Sequence, residues 1–176
     1  MTSRGIRPST THSTAALEAK SLLNAALFFC IFMLALPAAA TWLLPVALPF
    51  PYWLRLGGGG VLFLGGLLVW AVCLLFFSRI GRGTPFPLDA PQRLVTAGPF
   101  AYCRNPIMAG ELAVIWGELL YLATAGVAIY AAVISLAGHL AVVYIEEPEL
   151  RERFGTEYEA YRARVPRWIP RWRRPL

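Results

Sequence analysis

Four stretches of this chain are apolar for about the 17 to 25 residues that a helix needs to cross a hydrocarbon core: Leu22 to Leu44, Gly57 to Phe77, Ile107 to Leu122 and Gly126 to Ile145. The third is short and carries Glu111 and Glu118, but the fourth needs a partner running the other way, with Ala123-Thr124-Ala125 as the tight connection. With 57% hydrophobic residues and a mean hydropathy of +0.56, the chain is too apolar for an ordinary water-soluble domain, so lipid is its expected solvent. The expected fold class is all-α: an integral, multi-pass membrane protein with about four transmembrane helices and a C-terminal amphipathic surface helix.

Lys and Arg stay on the cytoplasmic side of short loops, which sets the orientation. Arg4, Arg7 and Lys20 precede the first span, and Arg79, Arg82, Arg93 and Arg104 lie between the second and third. Eight arginines, from Arg151 to Arg174, follow the fourth, whereas the remaining two loops hold Arg55 alone. Both termini and the long middle loop are therefore expected to be cytoplasmic. The net charge of +6 sits in juxtamembrane segments, where membrane lipids with anionic headgroups are a simpler partner than nucleic acid. Cys30 and Cys73 lie within spans and Cys103 in a loop, so no pair invites a disulfide and no ligand set invites a metal. The basic leader, Leu22 to Leu36 and Ala38-Ala39-Ala40 imitate a cleavable signal peptide. The leader is long, however, and apolar residues continue to Leu44, so a retained span is expected.

Three regions follow: a cytoplasmic N-terminal segment (1–21), a two-helix membrane scaffold (22–77) and a region carrying the chemistry (78–176). Pro37, Pro45, Pro49 and Pro51 bound or kink the first span. Gly58 with Gly65, and Gly59 with Gly66, place small residues seven apart on one helix stripe, as close helix packing requires. Residues Arg79 to Phe100 form a polar loop punctuated by glycine and proline, long enough to suggest a role in function. Leu150, Phe154, Tyr158 and Tyr161 make the apolar stripe of an amphipathic helix over Glu146 to Arg164, lying on the membrane surface or folding back on that loop. Trp168 and Trp172, among arginines, suit an interfacial anchor.

Two clusters offer chemistry. Gly98 to Gly110 is a polar turn entering the third span. Its free helix amides and Arg104 suit a carboxylate, and the aromatic faces of Phe100 and Tyr102 suit an adenine or a sulfonium. Glu146 and Glu147 stand where the fourth span leaves the membrane; either they are a solvated acidic helix start, or one is held inward for a ribose diol or an ammonium.

In order and spacing these clusters resemble the isoprenylcysteine carboxyl methyltransferase and phospholipid methyltransferase superfamily. The resemblance rests on Gln92-Arg93-Leu94-Val95, Gly98-Pro99-Phe100, Arg104-Asn105-Pro106 to Gly110, Glu146-Glu147 with Leu150, Phe154-Gly155, Tyr158, Tyr161 and Val165-Pro166-Arg167. It covers residues Thr84 to Pro170 and implies an integral membrane enzyme that moves a methyl group from S-adenosylmethionine to a lipid-like small-molecule acceptor entering from the bilayer. It implies cofactor contacts at Gln92, Arg93, Leu94, Val95, Phe100, Asn105, Pro106, Ile107, Met108 and Glu146; the residue reading adds Tyr102, Arg104 and Glu147.

Three positions depart from the superfamily pattern: Asn105 replaces a histidine, Met108 a tyrosine, and Val142 an arginine one turn before the glutamate pair. The last argues against a prenylated-protein carboxylate as substrate, because a buried anion needs a cationic partner. Methyl transfer from a sulfonium, an in-line displacement at its methyl carbon that releases a thioether, needs alignment and dehydration more than acid or base. If the acceptor must lose a proton, His139 or Glu111 is the candidate catalytic base. His139 lies seven residues before Glu146 on the same helix stripe, its alternative role being a neutral bond to a neighbouring helix. Glu118, nearer the other membrane face, reads as structural or snorkelling. Competing readings are a membrane reductase using NADPH on a sterol-like or enone substrate, and a non-catalytic relative that keeps the shape.

Overall fold

The structure, a computed structural model, describes residues 23–24, 26–76, 79–80 and 93–170. Region 1–21, Gln92 and Trp172 lie outside the described residues. The described chain is helical: α1 (Ala26–Leu43), α2 (Leu54–Phe76), α3 (Pro106–Leu122), α4 (Ala125–Ala141) and α5 (Glu147–Arg164). A wide π-helical turn, Val142–Glu146, joins α4 to α5, so one helix runs over Ala125–Arg164. Among the described residues, three helices are long and apolar enough to cross a membrane: α1, α2 and the joined α4–α5. The sequence suggested about four. The difference is α3, which has 17 residues and carries both Glu111 and Glu118. Proline at its first position and a left-handed Ala123 (φ 53°) after its last residue set these limits.

Helices in lipid gain little from excluding one another's apolar surface, so close contact has to come from small residues that let backbones approach. The α2–α3 pair is built this way. A Cβ on Gly66 would stand 2.6 Å from the Gly110 carbonyl oxygen, one on Gly117 would stand 2.6 Å from the Phe63 amide nitrogen, and Gly59 lies against the Gly117 carbonyl. Of the two stripes read in the sequence, Gly59 with Gly66 forms this seam, whereas Gly65 faces open space and Gly58 covers Leu54 and Leu120. Gly126 similarly brings α4 against the Ala40 carbonyl of α1. The buried core then joins Met33 of α1 to Val114, Ile115 and Leu119 of α3 and to Val127 and Ala131 of α4.

At one end of this bundle the two short connections bind each other. Leu48 N–H donates to the Ala123 carbonyl at 2.7 Å and Ala125 N–H to the Val46 carbonyl at 2.8 Å. Thr124 caps α4 by accepting from the Val127 amide, and the Arg55 guanidinium donates twice to the Tyr121 carbonyl at the end of α3. The tight Ala123-Thr124-Ala125 connection is thus the turn expected.

The opposite end is where α4 changes course. In the π turn the Glu147 amide donates to Val142, five residues back. Further on, Gly155 adopts a positive φ of 48° with ψ −122° and breaks α5 in two, a conformation open to glycine at little cost. The helix expected over Glu146 to Arg164 therefore carries a bend within it. Its apolar stripe survives the bend: Leu150 and Phe154 before Gly155 pack with Tyr158, Tyr161 and Val165 after it, together with Leu94 from the preceding loop.

Candidate functional site

The joining of the two sequence clusters begins with the register of the π turn. Val142 is fully buried, and with ordinary helical spacing the next inward residues would be Ile145 or Glu146; a five-residue turn instead delivers Glu147, which is 4% exposed. Glu146 is left on the exposed side. The same wide turn offsets His139 from Glu146, so the seven-residue stripe read from the sequence does not run straight.

Glu147 is the centre of a charged network. Its Oε1 accepts from Arg104 Nη1 at 2.8 Å and from Arg167 Nε at 2.6 Å, and its Oε2 accepts from Arg167 Nη2 at 3.0 Å. Arg104 makes two further bonds: Nη1 also donates to the Tyr158 hydroxyl at 2.9 Å, and Nε to the Val165 carbonyl at 3.0 Å. Burial alone would raise the Glu147 carboxyl, but the Arg167 hydrogen bond and the charges of Arg104 and Arg167 outweigh it and hold the group below the ordinary carboxylate range. Burial and the Glu147 charge push the Tyr158 phenol up, keeping it a neutral partner. A buried carboxylate is satisfied here by two guanidiniums, of which Arg104 is itself held by the Tyr158 hydroxyl and the Val165 carbonyl.

Around this centre the segment after α5 closes against the entry to α3. The Arg104 amide donates to the Pro166 carbonyl, Asn105 Nδ2 to the Arg167 carbonyl, and the Cys103 thiol faces the Arg167 and Trp168 carbonyls at 3.3 Å each. Burial raises that thiol, so it remains protonated. The Tyr161 hydroxyl donates to the Phe100 carbonyl at 2.7 Å.

The residues singled out in the sequence therefore divide. Arg104 and Glu147 meet directly, and Asn105 bonds the Arg167 carbonyl. Val95 and Phe100 are buried with Cys73, and Ile107 packs on them; Leu94 joins the Tyr158 cluster; Arg93 is exposed. Pro106 is the first residue of α3, and Asn105 before it makes no side-chain cap. Met108 Sδ lies over Gly138 of α4, and beside it the exposed His139 ring stands 5.8 Å from Trp168. Glu111 accepts from the Trp70 indole at 3.1 Å and lies within electrostatic reach of Glu146. Glu146 makes no hydrogen bond or ion pair among the described residues; although its side chain reaches the surface, partial desolvation by nearby protein atoms, then the charges of Glu149 and Glu147, push its carboxyl up. Tyr102 and Pro106, with Trp168, border an apolar groove of about 450 Å³ that runs along α2 and α3 past Gly66 and Gly110.

Arg167, Tyr158, Trp168 and Trp70 take larger parts than the sequence reading allowed them. Arg167 is twenty residues from Glu147, beyond any helical period, though it stood in the Val165-Pro166-Arg167 motif. Trp70 had no signal other than its place within an apolar span.

The family model described as phospholipid methyltransferase matches residues 54–157, from the start of α2 through the glutamate pair and past the Gly155 bend. A relative, methanethiol S-methyltransferase 1 of Bradyrhizobium diazoefficiens, is 34% identical over 86 residues, covering 49% of this chain and 29% of the relative. The chain thus matches under a third of that protein's length. With more than half of its residues under the family model, and the glutamate pair and α3 entry inside the match, this chain belongs to the phospholipid methyltransferase family.

Proposed function

We propose that this chain is an integral membrane methyltransferase that moves a methyl group from S-adenosylmethionine to a lipid-like acceptor, at the end of the bundle where α3 begins and α4 turns into α5. The observation that carries this reading is the Glu147 network, which draws the α3 entry and the post-α5 segment around one end of the bundle. It leaves Glu146 uncommitted beside them.

The residues present fit the cofactor. The amides opening α3 have no side-chain cap and suit a carboxylate. Glu146 suits an ammonium or ribose hydroxyls, and Trp168 with His139 offers a flat face for a base or a sulfonium. Arg104 serves as a positioning residue, because all its contacts are internal. Arg93, Leu94, Val95 and Phe100 shape the loop side of the site, and Gln92 keeps the cofactor role that the resemblance implies. When bound, S-adenosylmethionine supplies an electrophilic methyl carbon whose transfer needs no metal. The protein's share is alignment and exclusion of water. An acceptor that must release a proton passes it to Glu111, oriented by Trp70, or to His139.

The groove beside Tyr102 and Trp168 is almost wholly apolar, which favours an acceptor with a long apolar body delivered from the bilayer. The relative's name supplies a competitor, a small thiol. On topology, the seam that holds α3 along α2 favours a fourth crossing, with both termini cytoplasmic and the Glu147 end facing the cytoplasm. The working regions are then 22–77 as scaffold and 78–176 as the catalytic part.

The test uses purified protein and S-adenosylhomocysteine in a calorimeter. Glu146→Ala is expected to lose binding while melting near the wild-type temperature; wild-type binding by that variant would overturn the site. Membranes given methyl-labelled cofactor are expected to label an extractable lipid, whereas label appearing only when methanethiol is added would favour the thiol.

A further inference from the structure

A second cavity, of about 590 Å³, opens between α1, α2 and α3 at the end of the bundle away from Glu147. Its volume falls within the roughly 300–1,000 Å³ of small-molecule sites. Its walls are Leu34, Pro37, Phe63 and Leu122 with the bare backbone of Gly60, and into this apolar surround the sequence sets one acid, Glu118. Glu118 is 8% exposed, and its Oε2 is buried without a hydrogen-bond partner among the described residues. A lipid tail alone would fill such a space and leave the carboxyl group of Glu118, a lining residue of the cavity, without a hydrogen-bond donor, an arrangement that is unfavourable in hydrocarbon. Nor does the residue snorkel, since it faces inward.

We infer that this cavity binds an amphiphile with an apolar body and one hydrogen-bond-donating head, an alcohol or an amine, the head meeting Glu118. The site lies apart from the groove assigned to the methyl acceptor and shares none of its lining residues.

The test places the full chain in phosphatidylcholine nanodiscs with a long-chain alcohol bearing a photoreactive diazirine. Adducts are mapped by mass spectrometry. Labelling is expected on the segments Leu34 to Thr41 and Gly117 to Leu122. Dodecanol and dodecylamine should compete at least about tenfold better than dodecane at equal membrane concentration, as a buried hydrogen bond implies. Glu118→Met should erase that preference. Gly60→Phe should suppress labelling with the fold intact, because a Cβ at Gly60 meets no atom within 4 Å; this variant keeps the test decisive if the first misfolds. Equal competition by dodecane, adducts to a second copy of the chain, or undiminished labelling in a folded Gly60→Phe protein would each overturn the proposal.

Discussion

The two ends of the α2–α3 pair and the segments packed on them are held by opposite means. Along the seam, Gly59, Gly66, Gly110 and Gly117 bring one backbone onto the other with no side chain between. At the α3 entry, Arg104, Glu147, Arg167 and Tyr158 do the joining through directional, charged hydrogen bonds. The seam tolerates no added atom but has no electrostatic memory; the network tolerates small shifts but not the loss of a charge. A charged ligand, such as the cofactor proposed above, is better framed by the second kind of contact, and a rigid scaffold by the first.

Substitution separates the two. The largest effect is expected from Glu147→Ala, which leaves two guanidiniums facing a space without an anion and costs about 3–5 kcal/mol; denaturant titration in detergent micelles reads it. Glu147→Gln, keeping two polar atoms, should fall between that variant and the wild type. A result within scatter of the wild type would mean that the network contributes orientation alone. Next is Gly66→Ala, for which about 1–3 kcal/mol is expected because the new methyl meets the backbone of Gly110. Gly65→Ala, whose Cβ meets nothing within 4 Å, is the control and should melt with the wild type. Equal losses at the two glycines would dissolve the distinction.

The smallest effect is one of acidity. The Glu147 carboxyl titrates below its unfolded value, so its contribution is complete above the ordinary carboxylate range and is lost as pH falls through the folded value. Melting temperature followed downward in pH should drop in that acid window for the wild type. The decline should be shallower in Glu147→Gln, and the Gly66→Ala protein should keep the wild-type slope.

What was legible beforehand follows from whether the cause is local. The helical hairpin was readable because Ala123-Thr124-Ala125 interrupts two apolar runs, and the Gly59 and Gly66 stripe because its spacing repeats. The bend at Gly155 was not, since a lone glycine among helix formers is tolerated far more often than it turns the chain. Which acid of the Glu146-Glu147 pair is held inward was settled by a π turn, which leaves no compositional trace. Arg167 was invisible as a partner because its distance in sequence from Glu147 obeys no helical period. The 17-residue α3 was read as a weak span for the right reasons, its length and its two acids.

The mutual hydrogen bonds of the two short connections, Leu48 to Ala123 and Ala125 to Val46, bear on biogenesis. A ribosome delivers the first connection well before the second, so the α1–α2 hairpin enters the bilayer with Val46 and Leu48 still bonded to water. Only when α3 and α4 have been synthesised do those backbone groups find the partners they have in the folded chain. Assembly of this chain is therefore ordered, with the late hairpin acting as the keystone that seals the early one.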